Sequence, residues 1–299
     1  MKKTMLVMAS ALLAVSCSTT VNKDQVTTTY KENLKNAHKS GSGADVDFHG
    51  GKLKKYYSGE KALKKMAIVS ASYGLGSTRS VADLAREGRF KNLVESNENT
   101  ADIVYESVKK HLEQTAGYEI MSPAELAEKS ETFKKTKMID KEWSGTGGIT
   151  YVGKGVAGSR DVGRVTHEGK LISTIAQEAG IDGVIYVYLN EVNDTAKEGY
   201  YNGIDILGFK REASLAINVC VPREKAKSDG VSLGWFGDAN LCATALTMNK
   251  HFVYLPDPKT KDAQSTEVSE LVAMSSDYQK NYIDTLVNST VKEMKEEGL

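Results

Sequence analysis

The chain is poor in the features that announce a particular chemistry. Its 299 residues carry 39 basic and 39 acidic side chains, so no net charge draws it to nucleic acid. Only five histidines occur, none in an H-x-H or H-x-x-x-H pair, which leaves no metal centre to be read from the pattern. His111 falls on the polar side of a predicted helix, and His167 and His251 begin or flank strands, so each reads as a surface or packing residue. Beyond the first twenty residues no run reaches the ~18 consecutive apolar residues of a membrane-crossing helix. Cysteines number three: Cys17, Cys220 and Cys242. What remains is ordinary for a soluble globular body, 40% hydrophobic and 26% charged, long enough for one large domain or two small ones.

The opening "MKKTMLVMASALLAVSCSTT" is the most specific stretch. Lys2 and Lys3 precede an apolar run from Met5 to Val15, roughly half the ~20 residues a helix needs to span hydrocarbon. A basic start, a short apolar run and small residues at the cut describe a secretory leader over residues 1–16. Ala14-Val15-Ser16-Cys17 resembles the lipobox of bacterial lipoproteins, with Leu13 one place earlier than the pattern favours. That resemblance implies that the Cys17 thiol is acylated and becomes the new N-terminus. Ser18, where Asp would signal inner-membrane retention, implies the outer membrane, with the body facing the periplasm. Two or three acyl chains at ~0.8 kcal/mol per buried CH₂ hold stably where one would not. The leader carries two lysines and no acid, so the mature chain stands near −2.

Residues 17–57 are polar, with a Gly/Ser cluster at "KSGSGAD", and read as a lipidated flexible tether. As a coil it would hold the body on the order of 35 Å from the membrane. Residues 58–299 then form one domain. "KKMAIVSASY" reads as a buried strand. Ala101, Val104, Tyr105, Val108 and Leu112 share one helix face, with Asn99 or Thr100 as cap and Gly117 as terminator. "YEIMS" reads as a short strand, and Ser122, Pro123 and Glu125 spell a capping box for the next helix. "KLISTIAQEAGIDGVIYVYLNEV" repeats the helix–Gly–strand unit. "REASLAINVCV", "LCATALTM" and "HFVYL" follow as strands without intervening helices, and a long helix begins near Thr266 with Leu271, Tyr278, Tyr282, Ile283, Leu286, Val287, Val291 and Met294 on its apolar face. The expected fold is α/β (α+β): a mixed sheet with helices packed on it and a long C-terminal helix. Cys220 and Cys242 lie in strand-like runs of a protein destined for an oxidising compartment, either as a disulfide or as two buried thiols.

The order of "KMAIVSASY", "YEIMSPAEL" and "IAQEAGIDGVIYVYLNEV" resembles the periplasmic α/β lipoproteins related to the curli-secretion channel subunit and the penicillin-binding-protein activator lipoprotein B. In that group a helix ending at Gly-x-Asp leads into a strand, as at Gly180, Asp182 and Gly183. The resemblance covers about residues 60–130 and 168–298. It implies a tethered adaptor, activator or assembly factor that works by contact with envelope proteins, and leaves a homo-oligomer open.

Three motifs come close to chemistry. "GITYVGKG" matches a phosphate loop at Gly148, Gly153 and Lys154, but Gly155 stands where a hydroxyl should hold Mg²⁺, so a flexible surface loop is expected. Asp45, Asp47 and His49 partly imitate a calcium loop whose closing acid is Tyr56 instead. "SLGWFGD" sets Trp235 and Phe236 in an aromatic turn, a loop anchor or a contact hot spot. No catalytic residue, cofactor or metal is assigned, and no nucleic acid. The leading expectation is a non-catalytic, outer-membrane-anchored periplasmic lipoprotein. The alternatives are a small-ligand binder or enzyme using the Gly145–Gly163 loop, and a secretion-pore subunit. For the pore, "GITYVGKGVAG" and "YYNGIDILGFK" read as too short and glycine-broken for ~10-residue transmembrane strands.

Overall fold

The computed structural model describes residues 19–40, 53, 57, 59, 62–77, 99–136, 141–143, 149–158, 170–231, 241–257, 260 and 264–298. In chain order these form β1 (Thr19–Val21), α1 (Lys23–Ser40), β2 (Lys65–Ser77), α2 (Thr100–His111), β3 (Glu119–Met121), α3 (Pro123–Lys129), α4 (Glu131–Lys134), β4 (Lys141–Trp143), β5 (Ile149–Val152), α5 (Lys170–Ala179), β6 (Gly183–Tyr201), β7 (Ile204–Val221), α6 (Arg223–Ser228), β8 (Leu241–Pro256) and α7 (Thr266–Glu296). One eight-stranded sheet joins them in the order β4-β5-β2-β6-β7-β8, with β3 beside β2 and β1 beside β6. The β2–β6 pair is parallel, whereas β5–β2, β6–β7 and β7–β8 are antiparallel. The fold is therefore the mixed α/β sheet with a long C-terminal helix.

Strand β2 reads as a continuous apolar run because both of its faces are covered. Met66 and Ile68 enter the large core under α1, α2 and α7, and Ala67 and Val69 enter a smaller one under α3, α4 and α5. The smaller layer is fastened by Glu178, whose carboxylate accepts from the Ser130 hydroxyl at 2.6 Å, the Thr132 amide at 3.0 Å and the Thr132 hydroxyl at 2.9 Å. Helix α7, 31 residues, lays its whole predicted apolar face on the large core. Ser265 caps it by accepting from the Val268 amide. Ser122 likewise caps α3, but Glu125 pairs with Lys129 at 2.7 Å.

The Gly-x-Asp segment has a physical reason at each position. Gly180 ends α5 with φ +64°, a conformation that costs a side chain dearly. Asp182 accepts the Lys64 and Lys65 amides at the start of β2, both at 3.0 Å. Burial raises the Asp182 carboxyl, yet these bonds and the nearby Lys225 ammonium win and hold it below its usual range. At Gly183 a Cβ would meet the Cys220 carbonyl oxygen at 2.6 Å.

Strands β6 and β7 form a hairpin far longer than "YYNGIDILGFK" suggests, paired from Val184–Cys220 to Tyr201–Ile204. Asn202 and Gly203 turn it with φ +46° and +89°, the two left-handed residues of a type I′ turn. Its distal residues Tyr201, Ile204 and Ile206 belong to the large core. "LCATALTM" and "HFVYL" fuse into the single strand β8, and the short α6 stands between β7 and β8 where no helix was expected.

The largest correction concerns the supposed tether. Residues 19–21 pair in parallel with Gly199–Tyr201 of β6, and residues 23–40 form a helix packed on the body. Val26 and Ala37 are fully buried, as is Leu53, and Tyr57 donates to Asp229 at 2.8 Å. Composition misled because the helix buries a thin stripe, Val26, Tyr30, Asn33 and Ala37, on an otherwise polar surface. That stripe does specific work on the β8 edge: Asn33 donates to the Phe252 carbonyl at 2.8 Å, and Tyr30 donates to the Tyr254 carbonyl at 3.3 Å. Side chains thus stand in for a neighbouring strand.

Candidate functional site

Among the described residues, two places concentrate polar chemistry. The first is a sealed ionic cluster on the helix-covered face of the β6–β7–β8 sheet. On β6 the residues pointing inward run Ile185, Val187, Leu189, Glu191 and Asn193, so strict alternation carries a carboxylate into the core. Asn193 lies opposite Arg211, and Arg211 opposite His251. The Glu191 carboxylate accepts from Tyr73 Oη at 2.6 Å, Gln279 Nε2 at 3.0 Å, His251 Nε2 at 3.0 Å and Arg211 Nη1 at 3.3 Å. Arg211 also donates to Asn193 at 2.6 Å and Gln279 at 3.2 Å. Since Nε2 of His251 faces a carboxylate, it carries the proton, and Nδ1 accepts from Tyr278 Oη at 2.7 Å.

Burial opposes every charge here, so what survives shows which partner dominates. Glu191, fully buried, is pushed up by desolvation, but the Arg211 charge and the His251 and Tyr73 hydrogen bonds bring its carboxyl down to about 2. Desolvation outweighs Glu191 at His251 and lowers the imidazole below its ordinary value, which keeps it neutral. Tyr73 is raised well above 10, first by burial and then by Glu191. The resting state is one anion, one cation and a ring of neutral donors, all spent on each other.

The second place is an open cleft of about 610 Å³ between α2, the start of α3 and the turn after β5, lined among others by Asp102, Tyr105, Lys109, Pro123, Lys154 and Gly155. Lys154 is 87% exposed, its ammonium 3.9 Å from Asp102, whose carboxylate accepts the Lys154 amide at 2.8 Å. The Tyr105 hydroxyl is buried with no hydrogen-bond partner among the described residues. Burial, with Glu106 and Glu113 adding, pushes it up to about 12, so it stays a donor.

This cleft takes in part of the "GITYVGKG" motif, and the geometry departs from a phosphate loop. The Gly153 amide is spent on the Ala71 carbonyl and the Lys154 amide on Asp102, which leaves neither for an anion. Nor is this stretch a free loop: Val156 and Ala157 are buried, and the Ala157 amide bonds to Val69. Gly145, Gly148 and Gly163 lie outside the described residues, as do Cys17, Asp45, Asp47, His49, His167, Trp235 and Phe236. Cys220 and Cys242 face each other across β7 and β8 and are joined as a disulfide. His111 is buried, not on a polar side, and meets Asp284 at 3.0 Å. His251, taken for a strand-flanking packing residue, sits mid-strand in the ionic cluster. Among the described residues no group of three or more His, Cys, Asp or Glu side chains is arranged to hold a metal. Comparison with protein-family models, curated proteins and solved structures finds no match.

Proposed function

We propose that the chain is a lipoprotein anchored through Cys17 to the outer membrane, facing the periplasm, where its body works by protein contact as an adaptor, activator or assembly factor. The leader that stops at Cys17 carries this reading. The resemblance to periplasmic α/β lipoproteins adds to it, as does the disulfide, a bond suited to an oxidising compartment. The ionic cluster supports a rigid scaffold: Glu191 and Arg211 are 0% and 2% exposed and neutralise each other instead of meeting solvent. The sheet face away from α1 and α7 offers contact surface beyond α3–α5, where β8 presents Met248, 56% exposed, and half-buried Leu246. Cell fractionation with a Cys17→Ala variant tests the anchor. The native chain should sediment with outer membranes and the variant should leave them; equal partitioning of the two overturns the reading.

A second reading, a small-ligand protein using the cleft, is favoured by one observation: Tyr105, which lines the cleft together with Lys154, has a buried hydroxyl with no partner among the described residues. A ligand acceptor would satisfy that donor. Stability of Tyr105→Phe separates the cases, since losing an unsatisfied buried hydroxyl stabilises an empty cleft and weakens an occupied one.

A further inference from the structure

The position of β1 says how the body sits on its membrane, granted the lipid on Cys17. Thr19 pairs with Gly199, Thr20 with Tyr200 and Val21 with Tyr201. Cys17 is two residues before Thr19, and two trans peptide steps reach at most ~8 Å. The slack expected of a long tether does not exist, because residues 19–40 are built into the fold: β1 fills the β6 edge beyond Asn193, where β2 stops, and α1 buries Val26 and Ala37.

We propose that the hairpin end of the sheet, residues 198–205 with β1, rests against the phospholipid headgroups, while the opposite end, with α6 and the Cys220–Cys242 bond, stands away in the periplasm. Along β6 from Gly199 back to Gly183 the sheet spans about 50 Å at the ~3.3 Å rise of a strand. β1 runs parallel to β6 towards the turn, so Thr19 lies level with Gly199, and an anchor within ~8 Å of Thr19 lies near the turn end and far from the Gly183 end. Tyr200, 43% exposed and paired to β1, is the large side chain presented there, an amphipathic ring of the kind that settles at a membrane interface. Among the described side chains the surrounding charges do not form a basic patch. Asp24, Glu198 and Asp205 are exposed, and Lys23 is paired with Glu270. The covalent anchor sets the orientation, so anionic lipid is not required. The open sheet face around Leu246 and Met248 then stands sideways to the membrane, accessible to a partner.

The test couples the leaderless chain, starting at residue 17, to a maleimide phospholipid in phosphatidylethanolamine/phosphatidylglycerol vesicles. With Cys220 and Cys242 bonded, Cys17 is the one free thiol of the three. A fluorophore on a clickable residue replaces Tyr200, Asp205 or Glu224, the last on α6 with its side chain 67% exposed. A headgroup-nitroxide lipid should quench positions 200 and 205 several-fold more than 224, equally in vesicles lacking phosphatidylglycerol. Inserting about twenty Gly/Ser residues between Ser18 and Thr19, roughly 25 Å of slack, should erase the difference. Equal quenching at all three positions, or none at 200 and 205, overturns the orientation. Chemical coupling keeps this result separate from the anchor itself: an unacylated Cys17 in the native protein would sink the function proposed above while leaving this geometry to be judged on its own data.

Discussion

Arg211→Met is the substitution that most directly tests the reading of the core. Methionine fills much of the same space but removes, among the described residues, the one cation paired with Glu191, which is 0% exposed. Tyr73, Gln279 and His251 would still donate, yet they are neutral and cannot repay the desolvation of a carboxylate. Breaking a buried ion pair by deleting one partner costs about 3–5 kcal/mol. With a urea m-value of about 3 kcal/mol/M, the unfolding midpoint should fall by about 1 M or more. The double variant Glu191→Gln, Arg211→Met removes both charges and should be the less damaged of the two, with a coupling energy on the order of 2 kcal/mol. The loss should also shrink in acid, because without Arg211 burial pushes the Glu191 carboxyl up and it takes a proton instead of remaining a buried anion. Urea unfolding followed by circular dichroism at pH 7 and pH 5 reads all of this. A loss under about 1 kcal/mol for Arg211→Met, or additive effects in the double variant, would refute the claim that these charges depend on each other.

Three further outcomes follow from the same structure. The native chain should lose stability steadily on acidification: Glu191 is held at about 2 against an ordinary 4.5, so its contribution, about 3 kcal/mol, is present above pH 4.5 and lost as pH falls towards 2. His251, lowered by burial, adds a loss beginning below pH 6.5; a urea midpoint flat from pH 7 to pH 3 would contradict both. Gly199→Ala places a Cβ 2.5 Å from the Thr19 carbonyl oxygen, so it should expel β1, with amide exchange rising over residues 19–21 and unchanged at β2. Reduction of Cys220–Cys242, which closes a 22-residue separation, should cost about 3 kcal/mol, and thiol alkylation with and without reductant should report two protected cysteines.

The sheet and its helices were legible where periodicity was strong. Ala101, Val104, Val108 and Leu112 all fall in the core, as does the whole apolar face of α7. The ionic cluster left a fainter trace. Glu191 shares strand parity with Val187 and Leu189, and Arg211 shares it with Ala213 and Leu215, so alternation already turned both charges inward. What no local pattern carried was their pairing, which depends on β6, β7 and β8 in register with Gln279 of α7. Helix α1 escaped for another reason. Its packing is bought by two edge-capping side chains, Tyr30 and Asn33, whose partners at 252–254 lie more than 200 residues away. The flexible surface loop expected at Gly153 and Lys154 is instead tied down, because local spacing says nothing of amides committed to Ala71 of β2 and to Asp102.

The account rests on fatty acid at one thiol, and the N-terminal peptide of the native protein extracted from outer membranes decides it. Mass spectrometry should find Cys17 as the first residue, carrying a thioether-linked diacylglycerol and an N-acyl chain. A native peptide with residue 17 unmodified, or with the leader still attached, would contradict the proposed anchor.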